Sequence, residues 1–166
     1  ADWVVKREIN FDDACRGVYL EECLAVSHRW ITDGVPEPRR APPDPEGVQL
    51  EVVREHLRTH PRIKWVWFDW WCMWQDDKAG MPALTTEQQS EFGVMLGSIN
   101  MLFLGCQILV LLEVGYIGRF WTGYEAWLSM RMASAQGLEA ASEEQARSTI
   151  VTTHGAPPAL AVALVS

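Results

Sequence analysis

The acidic residue most suited to chemistry is Glu125, which lies on an otherwise apolar face of a predicted helix. Four residues share that face, since they are spaced i, i+4, i+7 and i+11: Trp121, Glu125, Leu128 and Met132. Burial there would raise the pKa of the carboxylate, which suits a general base or a group that stabilises a developing cation. The segment Thr122-Gly-Tyr-Glu125 also fits a capping box, in which Glu125 would only bond the first backbone amide of the helix. Spacing alone favours the capping box.

Polar and aromatic side chains also follow two predicted strands at the points where those strands end. The apolar run at residues 24–27 predicts the first strand, and residues 65–69 predict the second. Ligands of open parallel sheets bind at the carboxyl ends of the strands. The rule selects residues 27–30, residues 69–75 and the segment after Glu113. At the first two ends the candidates for binding are Ser27, His28, Arg29, Trp30, Asp69 and Trp70.

Several of these candidates have a structural interpretation beside the binding one. Arg29 would hold a phosphate or a carboxamide, or would pair with an acidic neighbour. Asp69 would bind a hydroxyl or position its loop, or would cap the turn after its strand. Trp30, Trp70 and Trp121 are placed to stack on a ring, whereas most of the nine tryptophans are expected to fill the core.

The elements that must position these residues alternate between strand and helix patterns. Apolar runs at residues 108–112 and 149–152 predict a third and a fourth strand. Helices are predicted from about residue 50 to a stop before Pro61, from a Thr85/Gln88 capping box through residue 104, from about residue 121 to residue 132, and after Pro158. Loops are predicted at residues 33–47, which hold five of the nine prolines, and around Gly80 and Pro82. This alternation predicts right-handed crossovers and a parallel sheet covered on both faces.

Composition restricts the classes of partner. The net charge of −8 disfavours nucleic acid, because phosphate neutralisation needs a basic surface. Residues 92–112 carry no formal charge, but they divide into a helical pattern, a turn at Gly105 and a strand, so no membrane span is expected. No signal peptide is recognised, and the four cysteines are interpreted as buried free thiols, which predicts a reducing, cytoplasmic location. Residues 1–166 are expected to form one domain excised from a longer protein, because Ala1 is not a natural start.

Two weaker patterns are disfavoured as sites. His56 and His60 are one helical turn apart, but the acidic residue of the metalloprotease motif is absent, and Pro61 ends the helix, so a solvated helix end is expected. His28 and Cys72 suggest a thiol nucleophile, but no third orienting residue is evident, and a buried cysteine is the commoner case.

Three blocks of sequence resemble known families. Residues 107–125, Q-I-L-V-L-L-E-V-G-Y-I-G-R-F-W-T-G-Y-E, resemble the Toll/interleukin receptor (TIR) pattern of an apolar strand, a loop with a tyrosine, then a tryptophan and a glutamate. Residues 24–30, L-A-V-S-H-R-W, resemble the first strand of TIR and of fungal heterokaryon-incompatibility (HET) domains. Residues 67–77, W-F-D-W-W-C-M-W-Q-D-D, resemble the HET signature, and the later Arg-x-Trp-Thr-x-x-Glu pattern of that family matches residues 119–125. Met73 and Trp74 stand where HET domains usually have a single apolar residue, and the long proline loop is not typical of TIR domains.

This resemblance implies a flavodoxin-like three-layer α/β fold with a central parallel sheet of four to five strands. In enzymatic members the matching glutamate cleaves the nicotinamide–ribose bond of NAD, which implies that Glu125 is catalytic. The nucleotide would then be contacted by Ser27, His28, Arg29, Trp30, Asp69, Trp70 and Trp121. NAD would be a substrate, with no metal and no prosthetic cofactor, and the domain would act as an oligomeric effector in immunity, self-recognition or cell death.

Two other functions are compatible with the same residues. One is a non-enzymatic module for homotypic assembly, since fold does not settle function. A remoter one is nucleoside deoxyribosyltransferase-like chemistry. A pocket that brings Glu125, Arg29 and Ser27 together is expected for the enzyme, whereas a Glu125 engaged in its helix cap is expected for the interaction module.

Overall fold

The computed structural model describes residues 3–31, 43–75 and 83–165. Most of the predicted proline-rich loop, the predicted loop at Gly80 and Pro82, and Asp76 and Asp77 of the HET-like block lie outside these ranges. The helices are α1 (Phe11–Cys15), α2 (Val48–Thr59), α3 (Asp69–Cys72), α4 (Thr86–Gly105), α5 (Phe120–Ser129) and α6 (Pro158–Val165). The strands are β1 (Cys23–His28), β2 (Trp65–Trp67), β3 (Gln107–Leu112), β4 (Arg131–Ser134), β5 (Gly137–Ala140) and β6 (Ser148–Thr152).

Four strands form one parallel sheet in the order β2-β1-β3-β6, which confirms the predicted α/β fold. The two central strands, β1 and β3, are almost entirely buried, as their continuous apolar sequences predict for a sheet covered on both faces. One core cluster joins Ala25, Ile108 and Val110 to α4, α5 and α6. A second cluster joins Leu24, Val26 and Leu109 to α2 and α3 on the other face. The arrangement is three-layered and consistent with a flavodoxin-like fold.

Helix α4 begins at the residue that the sequence predicts. Thr85 accepts from the Gln88 backbone amide while the Gln88 side chain accepts from the Thr85 amide, so the predicted capping box is present. The helix ends at Gly105, where the sequence predicts a turn, and β3 follows. Within the described ranges, no helix is both long and apolar enough to cross a bilayer.

Two expectations about the region after β3 are wrong. Helix α5 begins at Phe120 and ends at Ser129, three residues before the predicted end, because the chain turns at Met130 into β4. Strands β4 and β5 pair antiparallel as a hairpin in a stretch for which no strand is predicted. The hairpin turns through Ala135 and Gln136, and Gly137 has a φ of 119°, which favours glycine.

Arg147 ties the ends of two helices to the entry of β6. Its guanidinium donates to the backbone carbonyls of Phe103 and Leu128 and to that of Arg131. These carbonyls belong to or follow the last turns of α4 and α5, where backbone acceptors lack helical partners. One partly buried cation therefore fixes the end of α5 beside the sheet, and with it the helix that carries Glu125.

Gly105 permits a close approach between α1 and the end of α4. A Cβ added at this position would lie 2.6 Å from the Ala14 Cβ and 2.8 Å from the Ala14 Cα. The Ala14 backbone is involved, so a small side-chain rotation cannot relieve the overlap. Gly97, two turns earlier in α4, has no described heavy atom within 4 Å of such a Cβ.

We expect Gly105→Ala to lower the free energy of unfolding by about 1–3 kcal/mol through overpacking. The matched variant Gly97→Ala should raise it by about 0.5–1 kcal/mol, because alanine favours the helix more than glycine does. Urea unfolding followed by circular dichroism measures both. A Gly105→Ala protein as stable as Gly97→Ala would show that the α1–α4 contact is looser than described.

Candidate functional site

Glu125 is directed at the carboxyl end of β1 and does not cap its own helix. Its Oε2 accepts from the Ser27 hydroxyl at 2.5 Å, and Ser27 Oγ is in turn 2.5 Å from Tyr116 Oη. Ser27 and Tyr116 are fully buried. The N-cap of α5 is Arg119, and Thr122 lies inside the helix, so the capping-box interpretation is wrong.

The loop between β3 and α5 sets this geometry. The Thr122 hydroxyl donates to the backbone carbonyls of Tyr116 and Arg119, which fastens the loop to the first turn of α5. The Tyr116 amide donates to the Glu113 carbonyl and closes the turn after β3. As a result the phenol of Tyr116 and the carboxylate of Glu125 reach Ser27 from two successive elements.

The protons of this chain of hydroxyls run toward Glu125. Burial raises the pKa of the Tyr116 phenol, so Tyr116 stays a donor at neutral pH. Ser27 has a single hydroxyl hydrogen and uses it in the hydrogen bond that it donates to Glu125. The Ser27 oxygen therefore accepts the hydrogen bond from Tyr116. Among the described residues no hydrogen bond reaches Glu125 Oε1.

Burial raises the pKa of Glu125 to about 7. The hydrogen bond from Ser27 opposes this rise, the nearby Asp69 carboxylate adds to it, and the charge of His28 opposes it. A carboxylate that titrates near neutrality accepts hydrogen bonds and protons more strongly than an exposed one. Glu125 therefore has the properties of a general base or of a stabiliser of positive charge.

A second group of side chains lies around Asp69, at the start of α3. Asp69 Oδ1 is 2.8 Å from His28 Nε2, and Oδ2 accepts from Trp30 Nε1 at 2.8 Å. Burial acts to raise the pKa of Asp69, but the hydrogen bond and charge of His28 and the bonds from Trp30 and the Trp70 amide outweigh it and hold the pKa below its ordinary value. Asp69 is therefore ionised at neutral pH, so His28 Nε2 carries the hydrogen of their contact.

His28 is held with one ring nitrogen unused. Its ring packs on Phe68 at a centroid distance of 4.1 Å, and its Nδ1 is buried with no partner among the described residues. The indoles of Trp30 and Trp70 meet edge to face, with ring centroids 5.1 Å apart. Asp69 thus fixes His28 and Trp30 in place, which is more than the turn-capping role considered from the sequence.

Arg29 takes the ion-pairing role. Its Nε donates to Glu113 Oε1 at 2.5 Å, while Glu113 Oε2 accepts from the Gly115 amide. The Arg29 carbonyl accepts from Gln49, which is fully buried. Gly115 packs closely on this pair, since a Cβ there would lie within 3.2 Å of Arg29 and Glu113 atoms. The structure therefore places Ser27 in a direct hydrogen bond with Glu125, whereas the Arg29 Nε donates to Glu113 instead.

Of the sequence-predicted aromatic residues, Trp121 is the most exposed. It lies one helical turn before Glu125, is 56% exposed and contacts the ring of Phe120. Trp30 and Trp70 are partly buried beside Asp69. Trp121 is thus at the rim of the site, and the other two are in its wall.

Three residues that hold the site together are not among the sequence-predicted candidates: Glu113, Tyr116 and Gln49. Glu113 directly follows β3 and so lies at the carboxyl end of a strand. The rule that ligands bind at these ends would therefore also select Glu113 as a candidate. Tyr116 corresponds to the loop tyrosine of the TIR-like pattern. Gln49 has no sequence signal, because its contact is with the backbone carbonyl of Arg29, the residue that follows β1.

The two weaker patterns do not form chemical sites. The Cys72 sulfur lies against the Val66 carbonyl and the Phe68 amide, and burial raises its pKa, which disfavours a thiolate nucleophile. The rings of His56 and His60 stack at 3.9 Å, and His56 is buried, so the expected solvated helix end is wrong for His56. The described residues contain no group of three His, Cys, Asp or Glu side chains that would hold a metal ion.

The raised pKa of Glu125 predicts a pH-dependent cost to stability. Between the ordinary value of 4.5 and about 7 the folded state binds more protons at Glu125 than the unfolded state, so this group lowers stability as pH rises through that window. The full effect is on the order of 3 kcal/mol, at about 1.4 kcal/mol per pH unit.

We therefore expect the Glu125→Gln variant to gain stability relative to the unmodified protein from pH 4.5 to pH 7, with a constant difference above that range. Urea unfolding at a series of pH values measures this difference. Glu139→Gln, a substitution at an exposed carboxylate in β5, serves as the control and should give a flat difference. A flat difference for Glu125→Gln would mean that the carboxylate is solvated.

Comparison of the chain with protein-family models, curated proteins and solved structures gives no match to any of them.

Proposed function

We propose that this chain is a glycohydrolase that consumes NAD or processes a related nucleotide by cleaving the bond between ribose and base. The observation that carries the proposal is a partly buried carboxylate, Glu125, held by Ser27 at the carboxyl edge of a parallel sheet. That edge is where ligands of open α/β sheets bind. The resemblance of residues 24–30, 67–77 and 107–125 to TIR and HET domains supports the same substrate class.

Cleavage of the nicotinamide–ribose bond requires mainly a negative charge positioned near the ribose. When the nicotinamide–ribose bond breaks, its electrons leave with the nicotinamide, and the ribose becomes an oxocarbenium-like cation. A nearby carboxylate stabilises that cation, as it does in glycoside cleavage generally. Water then adds to the cation and gives up a proton, so that the products are nicotinamide, ADP-ribose and a proton.

The hydrogen bonds of Glu125 suit this role. Ser27 occupies Oε2 and fixes the carboxylate plane, which leaves Oε1 to accept from a ribose hydroxyl or from the attacking water. The cation that forms would also offset the desolvation that raises the pKa of Glu125. The carboxylate is therefore stabilised more in the transition state than in the free enzyme, which is the condition for catalysis.

The residues around Asp69 suit recognition of the rest of the nucleotide. Trp30 and Trp70 present aromatic surface beside an ionised carboxylate, and Trp121 is at the rim. Arg29 is paired with Glu113 through Nε, and its side chain remains partly exposed. In this proposal the domain acts as an effector in immunity, self-recognition or cell death, as the resembling families do.

We expect concentrated protein to release nicotinamide from NAD, and Glu125→Gln to lower the rate by at least about 100-fold, since the variant keeps the shape but loses the charge. Chromatographic measurement of nicotinamide gives the rate. Glu139→Gln is the matched control and should keep the unmodified rate, because residue 139 is exposed on β5.

The pH profile separates catalysis by Glu125 from a merely structural effect. Because the ionised form is required, kcat/KM should rise with pH through about 7 and then level off. Equal release by Glu125→Gln and the unmodified protein would contradict the assignment of Glu125. No release by either protein, even when assembled, would contradict the glycohydrolase proposal and leave the interaction module.

One surface favours the interaction module as the second candidate. Five large apolar side chains of the β3–α5 loop and α5 are exposed, and we call them the α5 aromatic surface: Val114, Ile117, Phe120, Trp121 and Trp127. Phe120 is 75% exposed. Clustered apolar exposure of this kind is typical of a protein-binding surface, and a second copy of the chain is the proposed partner.

If the α5 aromatic surface mediates homotypic assembly, the double variant Phe120→Ser/Trp121→Ser should be monomeric at concentrations where the unmodified protein associates. Both side chains are largely exposed, so the fold should be retained. Sedimentation velocity over a concentration series measures the change. Val94→Ser, at an exposed position of α4, is the control and should assemble normally. Unchanged assembly of the double variant would exclude this surface.

A further inference from the structure

Cys23 and Cys106 lie side by side at the amino ends of the two central strands. The register pairs Leu24 with Gln107 and continues to His28 with Leu111, so one step back along both strands brings Cys23 opposite Cys106. Cys106 continues the strand geometry backward from Gln107, with extended dihedral angles of φ −103° and ψ 170°. Neighbouring strands lie about 4.8 Å apart, within the Cα separation of roughly 4.4–6.8 Å that a disulfide spans.

Both side chains point to the same face of the sheet. Cys106 belongs to the core cluster that contains Ile108, and Cys23 packs against that same cluster. Leu24, the next residue of β1, belongs to the cluster on the opposite face. This alternation is the one expected for a strand, in which successive side chains point to opposite sides.

The two thiols differ in exposure and in acidity. Cys23 is partly exposed, whereas Cys106 is buried. A hydrogen bond from the Cys106 thiol is the main cause that lowers the pKa of Cys23, against the effect of burial. The same contact, together with burial, raises the pKa of Cys106. Cys23 is thus suited to attack an oxidant from solvent, and Cys106 to react afterwards from inside.

We propose that Cys23 and Cys106 form an oxidative modification site, in which a low-molecular-weight disulfide converts the pair into an intrachain bond between β1 and β3. The Cys23 thiolate attacks one sulfur of the small disulfide, forms a mixed disulfide and releases one small thiolate. Cys106 then gives its proton to the released small thiolate and attacks the Cys23 sulfur, which expels the second small thiolate. Two protein thiols are oxidised and one small disulfide is reduced to two thiols.

The position of the pair makes this site separate from the candidate active site. Ser27 lies on the same face of β1 as Cys23 but four residues further along, about 13 Å at strand spacing. A bond at the amino ends therefore joins the two central strands without touching Glu125. It also closes the long loop from residue 23 to residue 106, which constrains the unfolded chain and should stabilise the oxidised protein.

The test uses glutathione disulfide as the oxidant and folded protein carrying Cys15→Ser and Cys72→Ser, so that only the pair remains. Intact-mass spectrometry should show the loss of two hydrogen atoms, and peptide mapping should place the bond between Cys23 and Cys106. The oxidised protein should unfold at higher urea concentration than the reduced protein. The unsubstituted chain should give the same bond despite the presence of Cys15 and Cys72.

Single substitutions separate the two roles. Adding Cys106→Ser should trap glutathione on Cys23, because the resolving thiol is gone. Adding Cys23→Ser should slow the modification of Cys106 by roughly tenfold or more, because that sulfur is buried. A persistent glutathione adduct on the intact pair, a bond that forms only in denaturant, or a bond to Cys15 in the unsubstituted chain would each overturn the proposal.

Discussion

Pairing between β1 and β3 is the constraint on which the other features of this domain depend. The two strands pair in register over five residue pairs, from Leu24 with Gln107 to His28 with Leu111, and both are buried on the two faces. Buried backbone groups must find partners, and these two strands supply them to each other and to the outer strands. A slip by one residue would exchange the faces, so Ser27 would no longer face Glu125 and Cys23 would no longer face Cys106.

The same strand separates two carboxylates whose protonation differs. Ser27 and His28 are consecutive in β1 and point to opposite faces, so Glu125 reaches the strand end from one side and Asp69 from the other. Glu125 has a neutral hydroxyl as its hydrogen-bond partner, and its pKa is raised. Asp69 has His28, Trp30 and a backbone amide as partners, and its pKa is lowered. Environments that push two pKa values apart in this way are typical of sites in which the groups have different roles.

Much of the fold could be predicted from the sequence because its signals are local. The apolar runs of β1 and β3 and the capping box at Thr85 depend on neighbouring residues alone, and the structure confirms them. The hairpin β4–β5 is not predicted because its strands are short, with β4 partly buried and β5 exposed, so they lack an apolar run. The structural role of Arg147 is not predicted because its partners are backbone carbonyls, which every residue type carries.

The candidate site was predictable in position and much less so in its contacts. The strand-end rule selected Ser27, Arg29 and Asp69, all of which lie at the carboxyl edge of the sheet. Spacing favoured the helix cap for Glu125, because a capping box is a local pattern and the competing partner, Ser27, is 98 residues away in the chain. The contact with Ser27 forms only in the folded chain, so the spacing of residues around Glu125 cannot predict it.

The strand order also determines when the sheet can be completed. β1 pairs with β2 across 42 residues (Leu24 to Val66) and with β3 across 83 residues (Leu24 to Gln107). Doubling a loop adds only about 0.6 kcal/mol to its closure, so the distant partner is thermodynamically accessible. During synthesis, however, β1 waits for its central partner until β3 has emerged, and until then one of its edges is exposed. Until that point the future centre of the sheet is open to pairing with other strands.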